Sequence, residues 1–181
     1  MFGKGRAVSE KDPPVVVMGV AGCGKSTVGR DIALALRRGF IDADDLHPLA
    51  NKAEMAAGHP LDDEDRWPWL DVVGDALARC DENGVPPVVA CSALKRAHRD
   101  RLRAKAPGTV FVLLHGSREL LQSRIGPRAH EFMPATLLDS QLVTLETLES
   151  DEDGVVVDIA PPLLEVTANA LNGIRAFLSI E

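Results

Sequence analysis

"VVVMGVAGCGKST" occupies residues 15–27, and its reading decides the fold. An apolar, β-branched run empties into Gly19-Val-Ala-Gly-Cys-Gly24-Lys25-Ser26, which fits G-x-x-x-x-G-K-[ST], and Thr27 follows. A strand that ends in such a loop and reopens as a helix is the context a P-loop requires. Gly19, Gly22 and Gly24 let the loop, Cys23 included, turn its backbone N–H groups inward around phosphate oxygens. Lys25 then reaches the β- and γ-phosphates of a nucleotide, and the Ser26 hydroxyl takes a place on Mg²⁺. The helix that opens beside Thr27 adds its partial positive charge.

Further apolar runs follow at GFID (39–42), PVVACS (87–92), TVFVLL (109–114) and GVVVDI (154–159). Each is continuous rather than alternating, the pattern of a strand buried on both faces. The stretches between them carry helical spacing. Residues 25–39 place Val28, Ile32, Leu34 and Leu36 toward a core and close on Gly39 as a C-cap. Residues 65–80 place Trp69, Val72, Val73 and Leu77 likewise, with Trp67 and Trp69 packing at the helix start. Leu137, Leu138, Leu142, Leu145 and Leu148 mark another helix. Strand alternating with helix predicts a three-layer α/β domain whose parallel sheet has about five strands. Residues 15–181 read as one such domain behind a flexible tail of residues 1–14.

The formal net charge of −7 disfavours a nucleic-acid binder held by bulk charge. Cys23, Cys80 and Cys91 form no CxxC pair and no metal-ligand spacing, as expected of a reduced protein. The first fourteen residues lack the apolar core of a signal peptide, and no run is long enough to span a bilayer. The expectation is a cytoplasmic protein with no membrane partner.

"FIDADDLHP" (40–48) crowds three acids just after the second strand. In a parallel sheet the carboxyl ends of the strands share one rim, so Asp42 and Asp44 face the phosphates held by Lys25 and Ser26. Asp42 is expected to reach the Mg²⁺ through its water shell, and Asp44 to accept the proton of an attacking hydroxyl. Asp45 reads as a solvated neighbour. Two GTPase look-alikes fail on context. Asn51-Lys-Ala-Glu54 follows no strand, and Asp71-Val-Val-Gly74 lies inside a helix.

With these segments in view, the chain resembles the gluconokinases, small P-loop kinases that phosphorylate the 6-hydroxyl of D-gluconate. "MGVAGCGKSTVG" resembles their P-loop and "DADDLHP" their D-G-D-x-L-H-P. "NKAEMAAGHPLDDEDRWPWL" (51–70) resembles N-x-x-x-M-x-x-G-x-P-L-x-D-x-D-R-x-P-W-L. "VVACSALKRAHRDRLR" carries a C-S-A-L-K segment, and "HEFMPATLLDSQLVTLE" a lid-to-helix segment. Together these cover residues 15 to about 160. Ala43 stands where the family usually has Gly, His98 where Tyr is common, Glu131 where a lid aromatic is usual, and "IGPR" (125–128) where the lid is more basic.

The resemblance implies ATP and D-gluconate as substrates and Mg²⁺ as the metal. It implies Arg66, His47, Lys95, Arg99 and His130 as gluconate contacts, the guanidinium of Arg66 suiting a carboxylate. Residues 124–134 become the lid, with Arg124 near the adenine or the phosphates and Arg128 on the transferring phosphoryl group. "DIAPP" (158–162) borders the adenine. Gluconokinases often dimerise, so a homodimer fits this likeness. The other basic residues around 95–105 spread about their helix without interleaved aromatics, as on a solvated surface. Shikimate-kinase-like and adenylylsulfate-kinase-like enzymes share sheet and P-loop, but the "LHP" and "PLxDxDR" segments argue against both. A P-loop protein that binds nucleotide without turnover is the remaining alternative.

Overall fold

The computed structural model describes residues 12–57, 59, 61–125 and 135–178. The strand β1 (Val15–Met18) leads through the P-loop into α1 (Lys25–Leu36). Then come β2 (Phe40–Asp42), a 3₁₀ turn (Ala43–Leu46), α2 (Leu49–Ala56) and α3 (Asp63–Leu77). β3 (Val88–Ala90), α4 (Arg96–Lys105), β4 (Val110–His115) and α5 (Arg118–Ile125) follow. α6 (Ala135–Thr144), β5 (Gly154–Asp158) and α7 (Leu163–Arg175) complete the described elements. The five strands lie where the apolar runs place them. All pair in parallel, in the order β2-β3-β1-β4-β5.

Both faces of the central strands β1, β3 and β4 are covered, whereas the edge strand β5 leaves Val156 half exposed, contrary to the sequence pattern. Val15 and Val17 enter a layer shared with Val28 and Ile32 of α1 and with Val166, Ala170 and Ile174 of α7. Val16 and Met18 enter the opposite layer, with Trp69, Leu70, Val73 and Leu77 of α3 and Leu102 of α4. Each such buried aliphatic side chain contributes on the order of 1.5–3 kcal/mol. Register then sets the rim: Val17 pairs with Ala90, and Ala90 with Asp42. The acid that ends β2 is therefore level with the last turn of β1 before the P-loop. The connections leave β1 and β3 toward opposite flanks, which opens a crevice at this rim.

The helix faces differ in detail from the sequence reading. Leu34 is 81% exposed, and α1 buries Gly29 and Ala33 beside Val28 and Ile32. Its cap is Arg37 in the left-handed region (φ 56°), ahead of Gly39. Val72 is exposed at the edge of the α3 face. α6 ends at Thr144, so Leu145 and Leu148 pack from the segment beyond it. No helix among the described residues is long and apolar enough to cross a membrane.

Arg99 also departs from expectation, because it is 0% exposed and cannot meet a substrate. Its Nε and one terminal nitrogen donate to the two Glu152 oxygens, each at 2.7 Å, and its remaining donors reach the Leu94, Glu146 and Thr147 carbonyls. It fastens α4 to the segment before β5. Arg99→Ala leaves Glu152 buried with Arg103 as a remaining partner, and should lower the unfolding free energy by about 3 kcal/mol near neutral pH. Burial opposes the Glu152 charge, yet Arg99, the Glu149 N–H and Arg103 hold its pKa at about 2 against an ordinary 4.5. Its contribution is present above 4.5 and lost as pH falls through about 2. Urea midpoints of wild type and variant should therefore converge in acid.

Candidate active site

Gly19 (φ +139°) leaves β1 where a side chain would meet the Leu114 carbonyl oxygen at 2.7 Å. Gly24 (φ +93°) caps α1 in the left-handed region with no side-chain bond, and no acid stands in the first turn. The first N–H groups of α1 have no intrahelical partner, an arrangement that favours an anion at the helix N-terminus. Gly22 also takes a positive φ, Cys23 is buried beneath the loop, and Thr27 is exposed on the first turn. Burial, the largest cause, raises the Cys23 thiol pKa although Lys25 and Arg124 act against it, so the thiol is a packing group. Lys25 rests its ammonium on the Val20 carbonyl at 3.1 Å.

The acid cluster divides its work. Ser26 Oγ donates to Asp42 Oδ2 at 2.6 Å, while Asp42 Oδ1 accepts the Asp44 N–H at 3.2 Å and so caps the 3₁₀ turn. Asp42 thus ties the P-loop helix to the turn that presents Asp44. The Asp44 carboxyl opens to solvent, yet the surrounding protein desolvates it enough to raise its pKa. Lys25 opposes that shift, and Asp42 and Asp45 add to it. A carboxyl under these influences is suited to receive a proton at the rim.

The acceptor side is built on Trp69. Its indole N–H donates to the Ala43 carbonyl at 2.8 Å, and its ring stacks on His47 with centroids 4.1 Å apart. His47 is buried, and its Nδ1 has no partner among the described residues. Burial, with Arg66 and Lys52 adding, lowers its pKa to about 4, so the imidazole is neutral. Arg66 is half-buried and donates through Nε to the Leu61 carbonyl at 3.2 Å. The acids of "DDEDR" are shared out: Asp62 and Asp65 form the capping box of α3, and Asp63 reaches α4. Lys95 donates to Asp63 Oδ2 at 2.6 Å, and His98 Nε2 lies 3.2 Å from the other oxygen. The Lys95 bond, the largest cause, holds the Asp63 carboxyl below the usual range. Ala93 reaches a positive φ of 41° in the turn that delivers Lys95.

At the far flank, Arg124 donates to the Ile159 carbonyl at 2.6 Å, just past β5 and beside residues 158–162. Arg128, His130 and Glu131 lie outside the described residues. The rim brings together Lys25, Ser26, Asp42, Asp44, His47, Arg66 and Lys95, and excludes Arg99. Asp63, Trp69 and Gln141 were not singled out as site residues in the sequence. Gln141 Oε1 accepts the Ala21 N–H of the P-loop at 2.6 Å. Asp63 and Trp69 did carry a signal, since both lie in the "PLDDEDRWPWL" segment.

A buried neutral imidazole predicts a pH effect. The unfolded chain takes up a proton at His47 below 6.5, whereas the fold resists it until about 4. Stability should fall as pH drops through that window, by about 3 kcal/mol, with no contribution above it. Denaturant titrations across the window should show this slope reduced in His47→Gln.

The sequence model of the shikimate kinase family matches residues 21–155. A probable gluconokinase of Xenopus tropicalis is 43% identical over 160 residues, covering 80% of this chain and 84% of its own. The thermoresistant gluconokinase of Escherichia coli K12 is 40% identical over 161 residues, covering 88% and 92%. The crystal structure of a gluconokinase from Sinorhizobium meliloti 1021 superimposes with a TM-score of 0.84 at 48% identity, covering 92% and 94%. Likeness of this extent, across P-loop and acceptor segments alike, means that the chain is an ATP-dependent kinase and belongs to the gluconokinase family.

Proposed function

We propose that the chain transfers the γ-phosphate of ATP to the 6-hydroxyl of D-gluconate, giving 6-phospho-D-gluconate and ADP. The observation that supports this reading is the Ser26–Asp42–Asp44 linkage, which joins the P-loop helix to the turn that carries Asp44, the proton acceptor of this reading. Arg66, Lys95 and the neutral His47 supply the cations and the imidazole that a polyhydroxy acid needs. Arg66 and Lys95 suit the carboxylate, and His47 can give or take a hydrogen bond from a hydroxyl. His130 is assigned to the same substrate, and Arg124 to the adenine side.

The Ser26 hydroxyl and the Asp42 carboxylate are hard oxygen donors already turned toward one another, a pair that fits Mg²⁺. Ser26 would hold that ion directly and Asp42 through water, and the ion when bound neutralises charge on the phosphates. The loop N–H groups and Lys25 hold the nucleotide. Asp44 orients the primary alcohol and takes its proton as the new P–O bond forms. The transition state is loose, so proton removal is late and most of the catalysis is positioning and charge. Residues 124–134 serve as the lid that excludes water, and Arg128 stabilises the transferring group, a role worth about 10³–10⁵ in rate elsewhere. The setting proposed is a cytoplasmic enzyme of one kinase domain.

ADP release from Mg·ATP with D-gluconate, L-idonate, shikimate, adenylylsulfate or no acceptor tests this. Turnover with D-gluconate and a product phosphorylated at the 6-position is expected. Equal slow hydrolysis in every tube would refute the acceptor assignment. Asp44→Asn should lower kcat by about 10²–10⁴ with ATP affinity within about threefold of wild type. Near-wild-type turnover would remove Asp44 from the role.

A further inference from the structure

Gln141 stands on α6, 120 residues along the chain from the P-loop alanine whose N–H it accepts. The Val20–Ala21 peptide carries that N–H on one side and the Val20 carbonyl on the other. The carbonyl accepts from the Lys25 ammonium at 3.1 Å and from the Cys23 N–H at 3.4 Å. A peptide is planar, so a bond that fixes its N–H also fixes its carbonyl, and with it the resting place of Lys25. Donor and acceptor run in one direction from Lys25 through the peptide to Gln141, which lets the bonds polarise one another.

α6 is itself held at its middle and just past its end. Arg118 of α5 donates two bonds to Asp139, at 2.6 and 2.9 Å. Just past the helix, the Glu146 N–H donates to the Leu94 carbonyl at 2.8 Å. We propose that Gln141 is a positioning residue for phosphoryl transfer. It orients the Val20–Ala21 peptide, and through it Lys25, and it makes that orientation depend on where α6 sits. The proposal rests on Lys25 as a phosphate ligand, not on the identity of the acceptor.

The test is a double-mutant cycle read as Mg·ATP affinity by calorimetry on the full chain: wild type, Gln141→Met, Lys25→Ala and the pair. Methionine keeps the length of the side chain and loses the amide oxygen. Gln141→Met should weaken binding about five- to tenfold with Lys25 present, and less than about twofold in the Lys25→Ala chain. Equal losses in both backgrounds would overturn the proposal. In turnover, kcat should fall about tenfold while KM for D-gluconate stays within about twofold; an unchanged kcat counts against it. A second measurement needs no variant: the Ala21 amide of the nucleotide-free wild type should exchange slowly with solvent by NMR. Fast exchange there would overturn the proposal even if Gln141→Met failed to fold. Because the cycle and the exchange use no acceptor, a chain inactive toward gluconate would still decide them.

Discussion

All five strands run the same way, and that constraint organises the molecule. Parallel pairing with both faces covered forces every strand to end at one rim, where the backbone can no longer be satisfied by the sheet. Register puts Asp42 level with Val17 there. Ser26, in the first turn of α1, then needs only a 2.6 Å hydrogen bond to join the phosphate loop to the second strand. The acidic cluster follows from this. A carboxylate at the end of β2 can cap the turn that follows and accept a hydroxyl from α1 at once, and the next acid is left facing the mouth.

Charge placement obeys the same economy of partners. At the start of α3, Asp62 and Asp65 are spent on a capping box and Asp63 takes Lys95 and His98 together. Arg96, Arg101, Arg103 and Lys105 of α4 each meet a carboxylate of α3, of α4 or of the segment before β5. The one ion pair buried on both sides, Arg99–Glu152 among the described residues, is a fastening. A buried fork with every donor taken leaves nothing to offer a ligand, whatever its distance along the helix from Lys95.

Much of this was legible in the sequence because it is local. Continuous apolar runs fixed the strands, and the strand–loop–helix context fixed the P-loop. Leu34 is exposed for a reason that helix geometry supplies: at about 100° per residue it lies roughly 160° around the helix from the buried Ile32. Gly39 looked like the cap, but Arg37 takes the left-handed turn two residues earlier. Arg99 and Gln141 were opaque for another reason. Their partners lie 53 and 120 residues away, and an arginine or glutamine in a helix carries no mark that separates a solvated side chain from a buried tie.

The two ends of the site are joined through protein as well as through the substrates. α6 takes the Ala21 N–H at the phosphate end, and within a few residues the same stretch gives the Glu146 N–H to Leu94, directly before Lys95. Arg99 then locks the Glu146 and Thr147 carbonyls onto α4. Phosphoryl transfer through a loose transition state gains most of its rate from distance and alignment, where about 1 Å of misplacement can cost about 10²-fold. On the mechanism proposed, a fastening that never touches a substrate acts on the reaction when it sets the spacing between the P-loop and the turn that carries Lys95. The segment from α6 to β5 meets that requirement, since it is bonded to both.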